Sequence, residues 1–288
     1  MRAFGIGRAR PSAPARPVLD LSGPRLRRAF ENLITSAEAT GGIERYAGAL
    51  ALKASLFDEV LGHGRAATMP ESRFRDVACF IAPARRRIGP WLEANRFEFL
   101  RRRIAELMAD DGDLAAVDRR IAAFTGAFPA DREHRWTRDL AAEILHFSAP
   151  ERYPLMTRWV WDHGVGSGVL REIWHAEDVD AALIAVDDGI ATHLALREEL
   201  TGFLKDNGVF RDLPFYVDIL CAHVYAGYIN DRGGHYLKPD FCGESRDAML
   251  HTRRMLGLDA VDTATGRTRL KLIDGSAHVL AEPLKLNA

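Results

Sequence analysis

The sequence predicts an all-α protein: a multi-helix globular domain with a small β-hairpin at its C-terminal end. Three observations carry that expectation. Apolar residues recur at three- and four-residue spacing through most of the 288-residue chain, the period of a helix with one buried face. Gly and Pro punctuate those stretches at intervals that give helices of ordinary length. Only the tail, "RTRLKLIDGSAHVLAEPL", alternates with period two, about the turn Asp274-Gly275, as a strand pair does.

The elements follow in order. "SGPRLRRAFENLITSAEAT" reads as a helix with Pro24 in its first turn and Gly41-Gly42 beyond its end, the usual asymmetry of helix termini. "IERYAGALALKASLFDEVLG" is a second helix stopping at Gly62, and "PESRFRDVACFIA" a shorter third. In "GPWLEANRFEFLRRRIAELMADDG" Pro90 opens a helix whose stripe is Trp91, Phe97, Leu100, Ile104 and Leu107. "DLAAVDRRIAAFTGAF" begins with Asp113 in a capping position, where a carboxylate accepts from free backbone N–H groups. "TRDLAAEILHF", "VLREIWH", "DVDAALIAVDDGIATHLALREELTGFLKDNG", "PFYVDILCAHVYAGYI" and "ESRDAMLHTRRMLGL" complete the helical set. The domain plan is a flexible basic arm over 1–23, a helical domain over 24–262, and the hairpin and tail over 263–288.

Composition narrows the class. The longest apolar run, 213–229, has 17 residues and contains Asp218 and His223, so it reads as a buried helix and not a membrane span. Three cysteines stand far apart with no Cys-x-x-Cys spacing, which speaks against a disulfide framework and fits a reducing, cytoplasmic setting. Net charge is −1, yet residues 1–103 hold 19 Arg and Lys against 10 Asp and Glu, and the remainder is correspondingly acidic. A basic third of this kind suits an anionic partner.

The chemically densest stretch is "HFSAPERYPLMTRWVWDHGVGSG", 146–168. Trp159 and Trp161, two positions apart, cannot share one helical face; one is expected in the core and the other on a contact surface beside Arg152, Arg158 and Arg171. Trp and Arg together are typical of interface hot spots. The leading expectation is therefore a non-enzymatic accessory or regulatory protein that binds a macromolecular partner, a protein, through 152–175. Gly164, Gly166 and Gly168 precede a helix, where backbone amides can hold a phosphate, and this supports the alternative of a nucleic-acid-binding protein. A third expectation is a metal-dependent enzyme. Glu143/His146 and Glu172/His175 are two Glu-x-x-His spacings, each putting a carboxylate and an imidazole on one helix face, as in dinuclear iron or manganese bundles.

Two short resemblances accompany these readings. "EILHFSAPERYPLMTRWV" resembles a stretch of helix-hairpin-helix DNA glycosylase-like proteins, but Met156-Thr157 stand where the family carries its catalytic aspartate, and the glycine hairpin follows this segment where the family places it before. The "GVG" turn itself resembles the hairpin of helix-hairpin-helix proteins, which implies phosphate contact by its amides. "LMTRWVWDHGVGSGVLREIWH" resembles uncharacterised proteobacterial proteins encoded beside nitrogen-fixation genes, which implies a setting and no reaction.

Overall fold

Helix termini fall where the sequence places its breakers. In the computed structural model residues 16–109, 113–233, 249–260, 271–273 and 276–278 are described, and the chain is all-α. Eleven α-helices lie among the described residues: α1 Gly23–Glu38, α2 Ile43–Leu61, α3 Glu71–Ala78, α4 Ala82–Arg85, α5 Ala94–Met108, α6 Val117–Thr125, α7 Trp136–Ser148, α8 Val169–Glu172, α9 Ile190–Asp206, α10 Leu213–Gly233 and α11 Leu250–Met255. None is long and apolar enough to cross a membrane.

α7 is the axis of the bundle, with eleven of its thirteen residues buried. α2, α4 and α6 pack against it, and α10 in turn packs on α2, α8, α9 and α11. The stripes expected from sequence face this axis. Phe97, Leu100, Ile104 and Leu107 of α5 are all buried, and Phe57 of α2 meets Phe147 of α7 with ring centroids 5.4 Å apart. Each such side chain contributes roughly 1.5–3 kcal/mol by leaving water.

Several expectations need correction. Gly89-Pro90-Trp91 forms a 3-10 turn and α5 starts only at Ala94. Residues 178–189 are irregular, because Asp178 and Asp187 accept from the amides of Asp180 and Gly189 and so offer the backbone a turn in place of a helix. The expected arm enters the described residues at Arg16, and there it is tied down. The Ser22 amide donates to the Ile173 carbonyl and the His175 amide to Asp20, each at 2.8 Å. The expected hairpin lies largely outside the described residues, which include the facing triplets Lys271–Ile273 and Ser276–His278.

The bundle has a charged centre. Lys53, 1% exposed, sits on α2 in line with Tyr46, Leu50 and Phe57. Its three donors go to Glu143 Oε2 on α7 at 2.8 Å, the Phe80 carbonyl at 3.0 Å and the Leu256 carbonyl at 2.9 Å, and its ammonium lies 3.7 Å from the Phe147 ring centroid. Burial pushes the lysine pKa down and the glutamate pKa up. Breaking one half of such a pair strands a buried charge, whereas replacing both can be close to neutral. Lys53→Met is expected to lower stability by about 3–5 kcal/mol in urea titrations, and Lys53→Met/Glu143→Leu to recover most of that loss.

Candidate functional site

Three titratable side chains of α7, Asp139, Glu143 and His146, stand at i, i+4 and i+7 and therefore form one stripe along the helix. All three are buried. Each takes its partner from a different part of the chain. Asp139 accepts from the Arg158 amide at 2.9 Å and from its guanidinium at 3.1 and 2.7 Å; Glu143 takes Lys53; His146 takes Asp218 of α10, Nε2 to Oδ2, at 2.7 Å.

The His146–Asp218 pair has the composition of an acid–base dyad, but its hydrogen bonds leave nothing to present to a substrate. The other ring nitrogen, Nδ1, is 2.7 Å from the Tyr153 carbonyl. A carbonyl only accepts, so Nδ1 donates there, while Nε2 faces the Asp218 carboxylate. Both nitrogens are thus engaged inside the protein. Beside them is a cavity of about 20 Å³ lined by Leu155, Val160, Leu196, Val217, Cys221 and His193. That is space for water and not for a substrate. His193 donates Nδ1–H to the Gly189 carbonyl at 3.0 Å, and its Nε2 has no hydrogen-bond partner. Neither cysteine among the described residues is poised as a nucleophile, since burial pushes the thiol of Cys79 up to about 12 and that of Cys221 up as well.

The residues expected to meet a partner are mostly occupied. Trp159 and Trp161 are 7% and 1% exposed, so neither indole of this pair faces outward, and Trp161 donates to the Val186 carbonyl at 3.1 Å. The reason is local. The segment is not helical, so the 100°-per-residue geometry that would have separated the rings does not apply. Arg171 spends its guanidinium on the carbonyls of Gly166, Val179, Asp180 and Ala182, stapling the glycine turn to 179–182. Arg152 is half-buried with its guanidinium 5.3 Å from the Tyr153 ring centroid. Arg158 is held by Asp139 yet lines an open groove described below.

Most amides of the glycine turn are already engaged within the protein. The amides of Val165, Gly166 and Ser167 donate to the Asp162 backbone carbonyl, and those of Val169 and Leu170 to the carbonyls of Trp159 and Val160. Gly168 is required for packing: at φ +129° a Cβ would sit 2.7 Å from the Val160 oxygen. The carboxylate–imidazole pairs are likewise separated. Glu143 and His146 are buried among their own partners, Glu172 ends the four-residue α8, and His175 is exposed. Among the described residues no group of three His, Cys, Asp or Glu could hold a metal ion.

Open concavities lie elsewhere, and one region of them is lined by arginines. Two hollows of about 740 and 570 Å³ share His134. The turn Arg132–His134 divides them, capped by Asp131, whose carboxylate accepts from the His134 amide at 3.0 Å and lies 2.8 Å from His134 Nδ1. That contact holds the Asp131 carboxyl below its usual range. Beneath is an aromatic floor. Trp91 and Phe128 have centroids 4.9 Å apart, Trp91 and His134 5.7 Å, and Phe128 and Trp136 5.9 Å. Arg132, Arg135 and Arg158 line one hollow, and Arg86, Arg87 and Arg96 the other, with Glu133 as its one carboxylate among the lining residues. Arg138 and Arg158 are neutralised by Asp188 and Asp139. Arg86, Arg87, Arg96, Arg132 and Arg135 are exposed, and none is in an ion pair among the described residues. Sequence reasoning missed this set; the signal was "RRRIGPW", 85–91, three arginines running into a tryptophan.

Burial is the largest influence on His193, pushing its pKa from the ordinary 6.5 to about 4, and Arg138 adds to the effect against the Gly189 carbonyl and Asp188. The unfolded chain takes up this proton near 6.5 and the folded one only near 4, so stability present above 6.5 is lost as pH falls between those values. The expected loss is about 3 kcal/mol, and His193→Leu should flatten that part of a stability–pH profile measured by denaturant unfolding. Comparison with protein-family models, with curated proteins and with solved structures found no match to this chain.

Proposed function

We propose that this protein is a non-enzymatic accessory or regulatory protein that binds an anionic macromolecular partner, and that the arginine-lined groove at 86–96 and 132–135 is its contact surface. The observation that carries the reading is five exposed arginines, without ion pairs among the described residues, around two hollows that share His134, on a chain whose net charge is only −1. Such a local field attracts polyanions whatever the net charge, and arginine grips phosphate or carboxylate with two parallel hydrogen bonds. The contact surface thereby moves from the 152–175 corner to a face that Arg158 alone of the expected partner-binding residues reaches. A cytoplasmic setting suits the buried free thiols Cys79 and Cys221, and a hairpin about Asp274-Gly275 completes the tail.

Heparin serves as a polyanion probe. Arg132→Glu/Arg135→Glu is expected to weaken heparin binding at least roughly tenfold, the size of effect of losing charge-assisted contacts. The control Arg27→Glu/Arg28→Glu makes the same charge change at exposed positions of α1 and should bind like the unaltered protein. Equal weakening by both pairs would show a diffuse charge effect and remove the groove as the site.

A further inference from the structure

Resting on that reading, we infer that the groove is built for single-stranded nucleic acid, with phosphates held by Arg86, Arg87, Arg132 and Arg135 and an unpaired base against Trp91. The inference joins two features of these hollows: guanidinium groups without ion pairs among the described residues, and a half-buried tryptophan beside Arg86 and Arg87.

The arginines by themselves would suit an acidic protein equally well. The aromatic lining separates the possibilities. Trp91 is half-buried and lines the hollow together with Arg86, Arg87 and Arg96. Its ring meets Phe128 edge-on at 4.9 Å and Phe99 at a tilt of 35° and 5.8 Å, and the Arg96 guanidinium stands 5.6 Å from its centroid. A carboxylate side chain has no π-face to lay on such a platform. A nucleobase has one, and stacking on aromatic rings and guanidinium planes is how unpaired bases are held in charged grooves. A double helix hides those faces inside its own stack. Both hollows fall within the ~300–1,000 Å³ that takes a drug-sized molecule, and a nucleotide is of that size. The two hollows share His134 as a lining residue, with one arginine group on either side of it.

The test is fluorescence anisotropy on the full chain with four probes of equal length, roughly fifteen units: oligothymidine, an abasic phosphodiester strand, a DNA duplex and polyglutamate. Oligothymidine is expected to bind roughly tenfold or more tighter than the abasic strand, which carries the same charge without bases. Trp91→Leu should narrow that gap and Trp91→Phe should keep most of it. Arg132→Glu/Arg135→Glu should weaken oligothymidine binding and reduce the slope of log K against log salt by about 1.4. Because the abasic comparison uses the unaltered protein, it decides the matter even where Trp91→Leu disturbs packing. Abasic strand binding as tightly as oligothymidine, or duplex binding as tightly, would overturn the base-stacking inference and leave the anionic-partner reading intact. Polyglutamate binding as well as oligothymidine would make the partner an acidic protein. Absence of binding to every probe would end both.

Discussion

The bundle is organised around one ammonium group that has been taken out of water. Lys53 is the only lysine among the first 200 residues, and it stands at a core position of α2. An unpaired charge there costs several kcal/mol, so the fold has to bring it acceptors. It brings a carboxylate from α7 and carbonyls from the ends of α3 and α11. Four parts of the chain are thereby fixed relative to one another by directional bonds, where apolar packing alone would tolerate sliding. The pair adds little net stability over a well-packed apolar core, because its desolvation cost offsets its attraction. Its effect is to make alternative arrangements of the helices expensive.

The same logic runs along the rest of α7. Asp139 and His146 flank Glu143 in the stripe, and each is satisfied by a group from a distant segment, Arg158 and Asp218. A stripe of acid, acid and imidazole on one helix face suggests chemistry when read alone. In the folded chain it is a set of three latches. His146 illustrates why: its two nitrogens meet a carbonyl and a carboxylate, so both are committed to holding α7, the 153 turn and α10 together.

With the acid and imidazole stripe of α7 spent on architecture, surface chemistry falls to the arginines. Of these, Arg85 is buried in a bidentate pair with Asp259, at 2.9 and 2.8 Å, while its neighbours Arg86 and Arg87 point outward. The interior and the groove are linked through Trp136, the first residue of α7. Its ring supports Phe128 and hence Trp91. The rigid helix that carries the latches therefore also sets the floor of the groove and the position of the turn at 132–134.

Much of the helical framework was legible from sequence, because periodicity and Gly or Pro punctuation are local signals. α1, α2 and the buried stripe of α5 follow from spacing alone, and Asp113 does accept from the Ala115 amide at 2.9 Å. The candidate site was not legible in the same way. Lys53 in line with Tyr46, Leu50 and Phe57 marks a buried charge that must be paired, but its acceptor lies 90 residues away. The Trp159–Trp161 corner misled because its irregular backbone lets both rings turn inward. The concavity around Trp91 joins segments some 40 residues apart, and which arginines are left without carboxylates is settled only when every other pair has formed. Sequence by itself determined the helices and their buried faces, since these depend on neighbours along the chain. Tertiary structure alone decided which polar groups are consumed inside and which remain for a partner, since that depends on neighbours in space.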